Sequence, residues 1–150
     1  MNKIHQISAE HLSIEQIGEI IKNGTKLELS EDARQRIIRC REYLDNKIKE
    51  SETPIYGVTT GFGSLCKISI DKDSLSQLQK NLVMSHACGV GDRVPNEIVK
   101  IMLLLKIQSL SYGYSACQLK TVERLIDFFN NDIYPIVYMQ GSLGASGDLV

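Results

Sequence analysis

Five stretches of this chain carry apolar residues at a helical spacing, and residues that stop helices separate them. Ser13 followed by Gln16 is the pattern of a capping box, and Gly24 suits the position just after a helix end. Ser30 suits the start of the second stretch, which should end before Pro54 because a residue that precedes proline is pushed out of the helical region. The pattern therefore predicts two amphipathic helices at the start of the chain.

The other three stretches follow residues 54–70, a glycine-containing segment without helical periodicity that we interpret as a loop. They should run from Asp73 or Ser74 to His86, from Pro95 at a first helical turn to Gly113, and from about Cys117 to Asn130. The fourth is apolar on nearly all sides, so we expect a central, buried helix. With five helices, no convincing strand and an irregular end, the chain is predicted to be all-α.

Charge, apolar runs and cysteine spacing argue against several classes of function. The 17 basic and 18 acidic side chains give a net charge of -1, and no block of like charges suggests a nucleic-acid partner. We see no secretory signal and no apolar run near the ~18 residues that span a bilayer, so we expect a cytoplasmic protein without membrane contact. The cysteines lack Cys-x-x-Cys spacing, which favours structural thiols and no metal site. They are Cys40, Cys66, Cys88 and Cys117.

Glycines recur at every third position near the end of the chain, at Gly141, Gly144 and Gly147, with small residues among those between them. A flexible linker, an anion-binding nest and a backbone folded tightly for a chemical reason would each use such a run. A phosphate-binding P-loop is excluded because no Gly-Lys-Ser/Thr follows. From the residue pattern alone, a linker or turn is as well supported as a segment with a catalytic role. Because the chain stops directly after this run without a polar tail, we expect an amino-terminal portion of a longer protein.

The family of histidine and phenylalanine ammonia-lyases has a signature that resembles the run Gly141-Ser142-Leu143-Gly144-Ala145-Ser146-Gly147-Asp148-Leu149. Two upstream segments resemble the same family in the same order. They are Tyr56-Gly57-Val58-Thr59-Thr60-Gly61-Phe62-Gly63 and Asn81-Leu82-Val83-Met84-Ser85-His86-Ala87-Cys88-Gly89-Val90-Gly91. The resemblance extends over nearly the whole chain from about Leu12, and it implies the helical fold of that family.

The resemblance implies that Ala145, Ser146 and Gly147 cyclise into a 4-methylidene-imidazol-5-one group, abbreviated MIO. The amide nitrogen of Gly147 would attack the carbonyl carbon of Ala145, and Ser146 would lose water to leave an electrophilic methylidene. These residue types suit that chemistry, because glycine and alanine permit a compressed turn and a serine hydroxyl can leave as water. No metal is implied.

The resemblance also implies roles for Tyr56 and for the pair Ser85-His86. Tyr56 would take a proton from the β-carbon of the substrate, a role that requires a nearby positive charge or hydrogen-bond donors because tyrosine is ordinarily a weak acid. Ser85 and His86 would lie against the substrate ring, with His86 orienting or polarising an imidazole. Considered alone, such a tyrosine more often simply packs, and such a histidine more often caps a helix or sits in a core.

The implied reaction is elimination of ammonia from L-histidine to give trans-urocanate, a step of histidine breakdown. Whether the amino group or the ring of the substrate meets the electrophile stays open. The alternatives are a tyrosine or phenylalanine ammonia-lyase, a tyrosine 2,3-aminomutase, and an inactive helical homologue or interaction module. The resemblance also implies a homotetramer with catalytic residues beyond Val150. The 150-residue fragment alone is therefore expected to be inactive, with its Ala-Ser-Gly unreacted.

Three departures from the family pattern bear on the choice of histidine as substrate. Residues 137–140 lack a second proline, Ala116 stands where a glycine often follows Gly-Tyr-Ser, and Val150 replaces a frequent alanine. None of them touches the reacting atoms.

Overall fold

The computed structural model describes residues 3–50, 53–61, 63, 70, 72–144 and 147–149. Its helices are α1 (Ile14–Lys22), α2 (Glu31–Glu50), α3 (Leu75–His86), α4 (Asn96–Ser111) and α5 (Leu119–Asn130), with a short 3-10 turn at Lys72–Ser74. Six short strands accompany them: β1 (Ile4–Ile7), β2 (Lys26–Leu29), β3 (Val90–Arg93), β4 (Tyr138–Gln140), β5 (Ser142–Gly144) and β6 (Gly147–Leu149). The predicted helical class and all five helices are confirmed, whereas the expectation of no strand and an irregular end was wrong.

The first two helices begin as the sequence predicts. The Ser13 hydroxyl accepts a hydrogen bond from the N–H of Gln16 at 3.2 Å, and the Gln16 side chain accepts one from the N–H of Ser13 at 2.8 Å. Gly24 follows the end of α1 with φ +59°. The Ser30 hydroxyl accepts from the N–H of Ala33 at 3.2 Å. Both starts are thus stabilised by side-chain caps, each worth about 1 kcal/mol.

The chain divides into two units, which we describe separately. Unit 1 comprises Met1–Asp45 and Pro95–Ile136, and unit 2 comprises Asn46–Val94 and Val137–Val150. Among the residues that the structure describes, no helix has both the length and the apolar character needed to cross a membrane.

Unit 1 contains a parallel strand pair and the apolar core. β1 pairs with β2 from Ile4↔Lys26 to Ile7↔Leu29, and α1 supplies the crossover that a parallel pair requires. Buried side chains of β1, β2, α1, α2, α4 and α5 form one cluster. They are Ile7, Ile20, Leu27, Leu29, Ala33, Ile37, Leu103, Leu104, Ile107, Leu110, Val122, Ile126 and Phe129.

Two polar side chains tie the core elements of unit 1 together. The Gln108 amide donates to the carbonyls of Ser8 and Glu10 at 2.9 and 3.0 Å. The Asn130 amide accepts from the N–H of Leu27 at 2.8 Å and donates to its carbonyl at 2.9 Å, so it pairs with β2 as a neighbouring strand would. These contacts satisfy backbone groups that would otherwise be costly to bury.

The expectation that α4 is buried on nearly all sides was wrong. Val99, Leu103, Leu104, Ile107 and Leu110 are buried, and α4 contacts α5, α1 and β1. On the opposite face, apolar side chains at helical spacing remain about half exposed. They are Ile98 (48%), Met102 (44%) and Leu105 (46%). Pro95 is the residue before α4 rather than part of its first turn.

The described residues of unit 2 are held together by other interactions than those of unit 1. Among the side chains of unit 2 whose burial the structure describes, no apolar one is buried, and only the residues Thr60 and Gly61 are classed as buried. Since burial of apolar surface is the dominant stabilising term in folding, these residues are held mainly by hydrogen bonds.

Two positions in the α4–α5 connection have left-handed backbone angles. Gly113 has φ +75°, and a Cβ there would lie 2.8 Å from both the Cβ and the carbonyl oxygen of Arg36. Ala116 has φ +48°. Family members often have a glycine at the position of Ala116. The left-handed backbone explains this preference, because that region costs other residues ~1–2 kcal/mol.

We predict that Gly113→Ala lowers the free energy of unfolding by roughly 2–4 kcal/mol, through backbone strain and collision with Arg36. Gly18→Ala is the matched control, because Gly18 lies within α1 with nothing within 4 Å of its added Cβ. That control should raise stability by up to ~1 kcal/mol. Urea denaturation measures both, and equal effects of the two substitutions would contradict the close approach of α2 to Gly113.

Candidate active site

Tyr56 lies in a tight loop whose backbone is tied by threonine hydroxyls. The Thr59 hydroxyl accepts from the N–H of Ile55 at 2.8 Å, and the N–H of Thr59 donates to the Ile55 carbonyl at 2.9 Å. The fully buried Thr60 accepts from the N–H of Gly57 at 3.3 Å. These bonds give the loop a defined shape without regular secondary structure, as predicted for this part of the chain.

The Tyr56 ring is 60% exposed, so it does not simply pack. Its hydroxyl oxygen accepts a hydrogen bond from the N–H of Gly63 at 3.3 Å. Gly57 and Gly63 both have positive φ angles, +69° and +57°, which glycine adopts without strain. The loop therefore holds the Tyr56 hydroxyl through a backbone donor, and no sequence pattern indicated that Gly63 would provide it.

Helix α3 contacts this loop through Gln79. The Gln79 amide donates to the carbonyls of Gly57 and Val58 at 3.0 and 3.4 Å. Ser85 lies six residues further along the same helix, about 9 Å at 1.5 Å per residue. The loop of Tyr56 and the helix of Ser85-His86 are thus brought into contact. Sequence reasoning missed Gln79, because a glutamine on an exposed helix face has no distinguishing signal.

Ser85 and His86 form the last turn of α3 with Leu82. The His86 Nδ1 lies 2.8 Å from the Leu82 carbonyl oxygen, and the Ser85 hydroxyl donates to the same oxygen at 3.0 Å. The Ser85 Oγ is 2.9 Å from His86 Nδ1. His86 therefore uses one ring nitrogen to bind its own helix, as the cap interpretation expects.

Two pairs of short strands involve the segment after α3 and the glycine-rich end of the chain. β3, which begins four residues after His86, pairs with β4 through Val90↔Gln140 and Arg93↔Tyr138. β5 pairs antiparallel with β6, with Gly144 opposite Gly147. Ala145 and Ser146 lie outside the described residues. Of the predicted Ala-Ser-Gly segment, the structure therefore describes only Gly147, which is paired with Gly144.

The cysteines that the structure describes, Cys40, Cys88 and Cys117, are free thiols. Burial raises the pKa of the Cys117 thiol, which disfavours the reactive thiolate. This agrees with the structural role predicted for that residue, and Cys66 lies outside the described residues.

The family model for aromatic amino acid lyases matches residues 12–150. The chain belongs to this family. Histidine ammonia-lyase of Deinococcus radiodurans is 49% identical to this chain over 138 residues, covering 92% of this chain and 26% of that protein.

Two solved structures share its fold. The ergothioneine-degrading enzyme ergothionase from Treponema denticola has a TM-score of 0.88 at 27% identity, covering 94% of this chain and 28% of that one. Tyrosine aminomutase from Streptomyces globisporus has a TM-score of 0.84 at 29% identity, covering 95% and 27%. This lyase chain therefore spans about a quarter of the length of the relatives it matches.

We predict that Gln79→Glu loosens the Tyr56 loop, because a carboxylate would face two carbonyl oxygens in place of a donor. Loss of these hydrogen bonds should speed hydrogen exchange of the Val58 and Thr59 amides by roughly three- to tenfold. Gln77→Glu is the control, since the Gln77 amide bonds to Asn81 on the same helix. If both variants exchange alike, α3 does not hold the loop.

Proposed function

We propose that the complete protein to which this chain belongs eliminates ammonia from L-histidine to give trans-urocanate. Its residues 1–150 would form the amino-terminal part of the lyase domain. The choice of histidine rests chiefly on His86, a ring with hydrogen-bonding nitrogens at the end of α3. The 49% identity with a histidine ammonia-lyase supports the same choice.

Ala145, Ser146 and Gly147 are proposed to form the MIO group. The pairing of Gly144 with Gly147 fits this chemistry, because the chain reverses direction over only two intervening residues and Gly147 has no side chain to obstruct its amide nitrogen. Once formed, the group would supply an electrophilic carbon to the substrate, which ordinary side chains do not offer. No metal is needed for this proposal.

Tyr56 is proposed to take the proton from the β-carbon of the substrate. Its exposure leaves the ring accessible, and the N–H of Gly63 donates to the hydroxyl oxygen that must carry the charge. His86, with Ser85 beside it, would orient the imidazole of the substrate so that its β-carbon faces Tyr56.

A tyrosine 2,3-aminomutase is the second candidate, because a tyrosine aminomutase has a closely similar fold. Its 29% identity is well below the 49% found for the histidine ammonia-lyase. A tyrosine or phenylalanine ammonia-lyase has no separate observation in its favour.

The remaining parts of the active site are proposed to come from the rest of the polypeptide and, in a homotetramer, from other subunits. The absence of buried apolar groups among those side chains of unit 2 whose burial the structure describes supports this, because such a unit needs further contacts to become rigid. The isolated 150-residue chain is accordingly proposed to be inactive. A cytoplasmic location is proposed for the enzyme.

Product analysis of the complete protein tests the proposed function. With L-histidine we expect urocanate, and with L-tyrosine no β-tyrosine. Ser146→Ala should abolish both turnover and the near-ultraviolet absorbance of the electrophile. Tyr56→Phe should lower kcat by about 10²–10⁴-fold, the usual contribution of a general base.

Tyr43→Phe is the matched control for Tyr56→Phe, because Tyr43 is an equally exposed tyrosine on α2. It should leave turnover unchanged. Formation of β-tyrosine would favour the aminomutase. An absorbance that survives Ser146→Ala would show that the electrophile does not come from this serine.

A further inference from the structure

The end of α3 holds a closed triangle of three polar atoms. The His86 Nδ1 and the Ser85 Oγ both lie within 3.0 Å of the Leu82 carbonyl oxygen, and they are 2.9 Å from each other. Helix α3 ends at His86, and the N–H of Ala87 still donates to the Val83 carbonyl. The last turn of α3 is therefore held both by its backbone and by the two side chains, and these contacts fix the position of the His86 ring.

Only one arrangement of hydrogens satisfies this triangle. A carbonyl oxygen has lone pairs and no hydrogen, so a nitrogen 2.8 Å away repels it unless that nitrogen carries a proton. The single hydrogen of the Ser85 hydroxyl points at the Leu82 carbonyl. Its oxygen therefore presents a lone pair to His86 Nδ1. Two acceptors thus face Nδ1, and both require a proton there.

We propose that Ser85 is a positioning residue that, together with the Leu82 carbonyl, holds the neutral His86 ring in the tautomer protonated at Nδ1. In that tautomer Nε2 carries a lone pair and acts only as an acceptor. The part of this inference that places His86 against the substrate ring rests on the proposed function. The assignment of the proton to Nδ1 rests on the triangle alone.

This tautomer determines what kind of ring His86 can recognise. A ring that meets Nε2 has to offer a hydrogen-bond donor, which the N–H of an imidazole does and a phenyl ring does not. Sites built to bond a particular N–H or O–H discriminate strongly against analogues that lack it. Ser85 would therefore contribute to selectivity for histidine over phenylalanine through the tautomer of His86.

The test uses nitrogen-15 NMR of the complete protein with labelled histidine, at about pH 9, where histidine side chains are ordinarily neutral. Signals that disappear in His86→Gln belong to His86. We expect a protonated Nδ1 and an unprotonated Nε2 in the wild type. Ser85→Ala should reduce the population of this tautomer and raise the KM for L-histidine roughly three- to tenfold, while Ser85→Thr, which keeps the hydroxyl, should preserve both.

Ser76→Ala is the control, because Ser76 is an exposed serine on the same helix. A proton on Nε2 rather than Nδ1 in the wild type would overturn the proposal. It would also be overturned if Ser85→Ala matched Ser76→Ala, or if KM rose without any change in tautomer. Failure of the complete protein to make urocanate would instead count against the proposed function, because the NMR reads the resting protein without turnover.

Discussion

The apolar contact between α4 and α5 is the interaction on which the described structure depends most. Both helices contribute fully buried side chains, including Leu104, Ile107, Val122 and Phe129, to the single core of unit 1. Burial of each such side chain contributes about 1.5–3 kcal/mol. β2 joins this core through α5, where the Asn130 amide takes the place of a neighbouring strand. The rest of unit 1 folds around these contacts.

The candidate active site is organised in another way. Unit 2 places Tyr56, Ser85 and His86 through hydrogen bonds. Those of the loop threonines and of the Leu82 carbonyl join residues within four positions of each other, whereas Gln79 bonds to Gly57 across 22 positions. Such bonds are individually worth about 0.5–1.5 kcal/mol. They can orient a side chain precisely within its loop or helix, but they supply little of the free energy that keeps a domain folded. Orientation and stability are thus provided by different parts of the chain.

Sequence predicts the local features well, because their causes are local. The capping box at Ser13, the stop at Gly24 and the stripe Val122, Ile126 and Phe129 each depend on residues within one or two helical turns. The roles of Tyr56, Ser85 and His86 come instead from the resemblance of three segments to a family, and they stay predictions.

Non-local contacts were not predictable in the same way. The four-residue strands β1 and β2 pair across 22 positions. β1 shows no alternation, and β2 alternates polar and apolar residues over only four positions, so the local signal for either strand is weak. The half-exposed stripe Ile98, Met102 and Leu105 has the composition of a buried face, and only the positions of its neighbours reveal that the described chain leaves it open. The donor at Gly63 is a backbone group, which carries no sequence signal at all.

The proposed chemistry depends on whether Ala145, Ser146 and Gly147 become an electrophile, and the mass of the peptide that contains them tests this most directly. In the complete protein, mass spectrometry of the proteolytic peptide spanning residues 141–149 should show the loss of two waters relative to the sequence, one from ring closure and one from Ser146. A peptide of unmodified mass in catalytically active protein would contradict the assignment of this segment as the source of the electrophile.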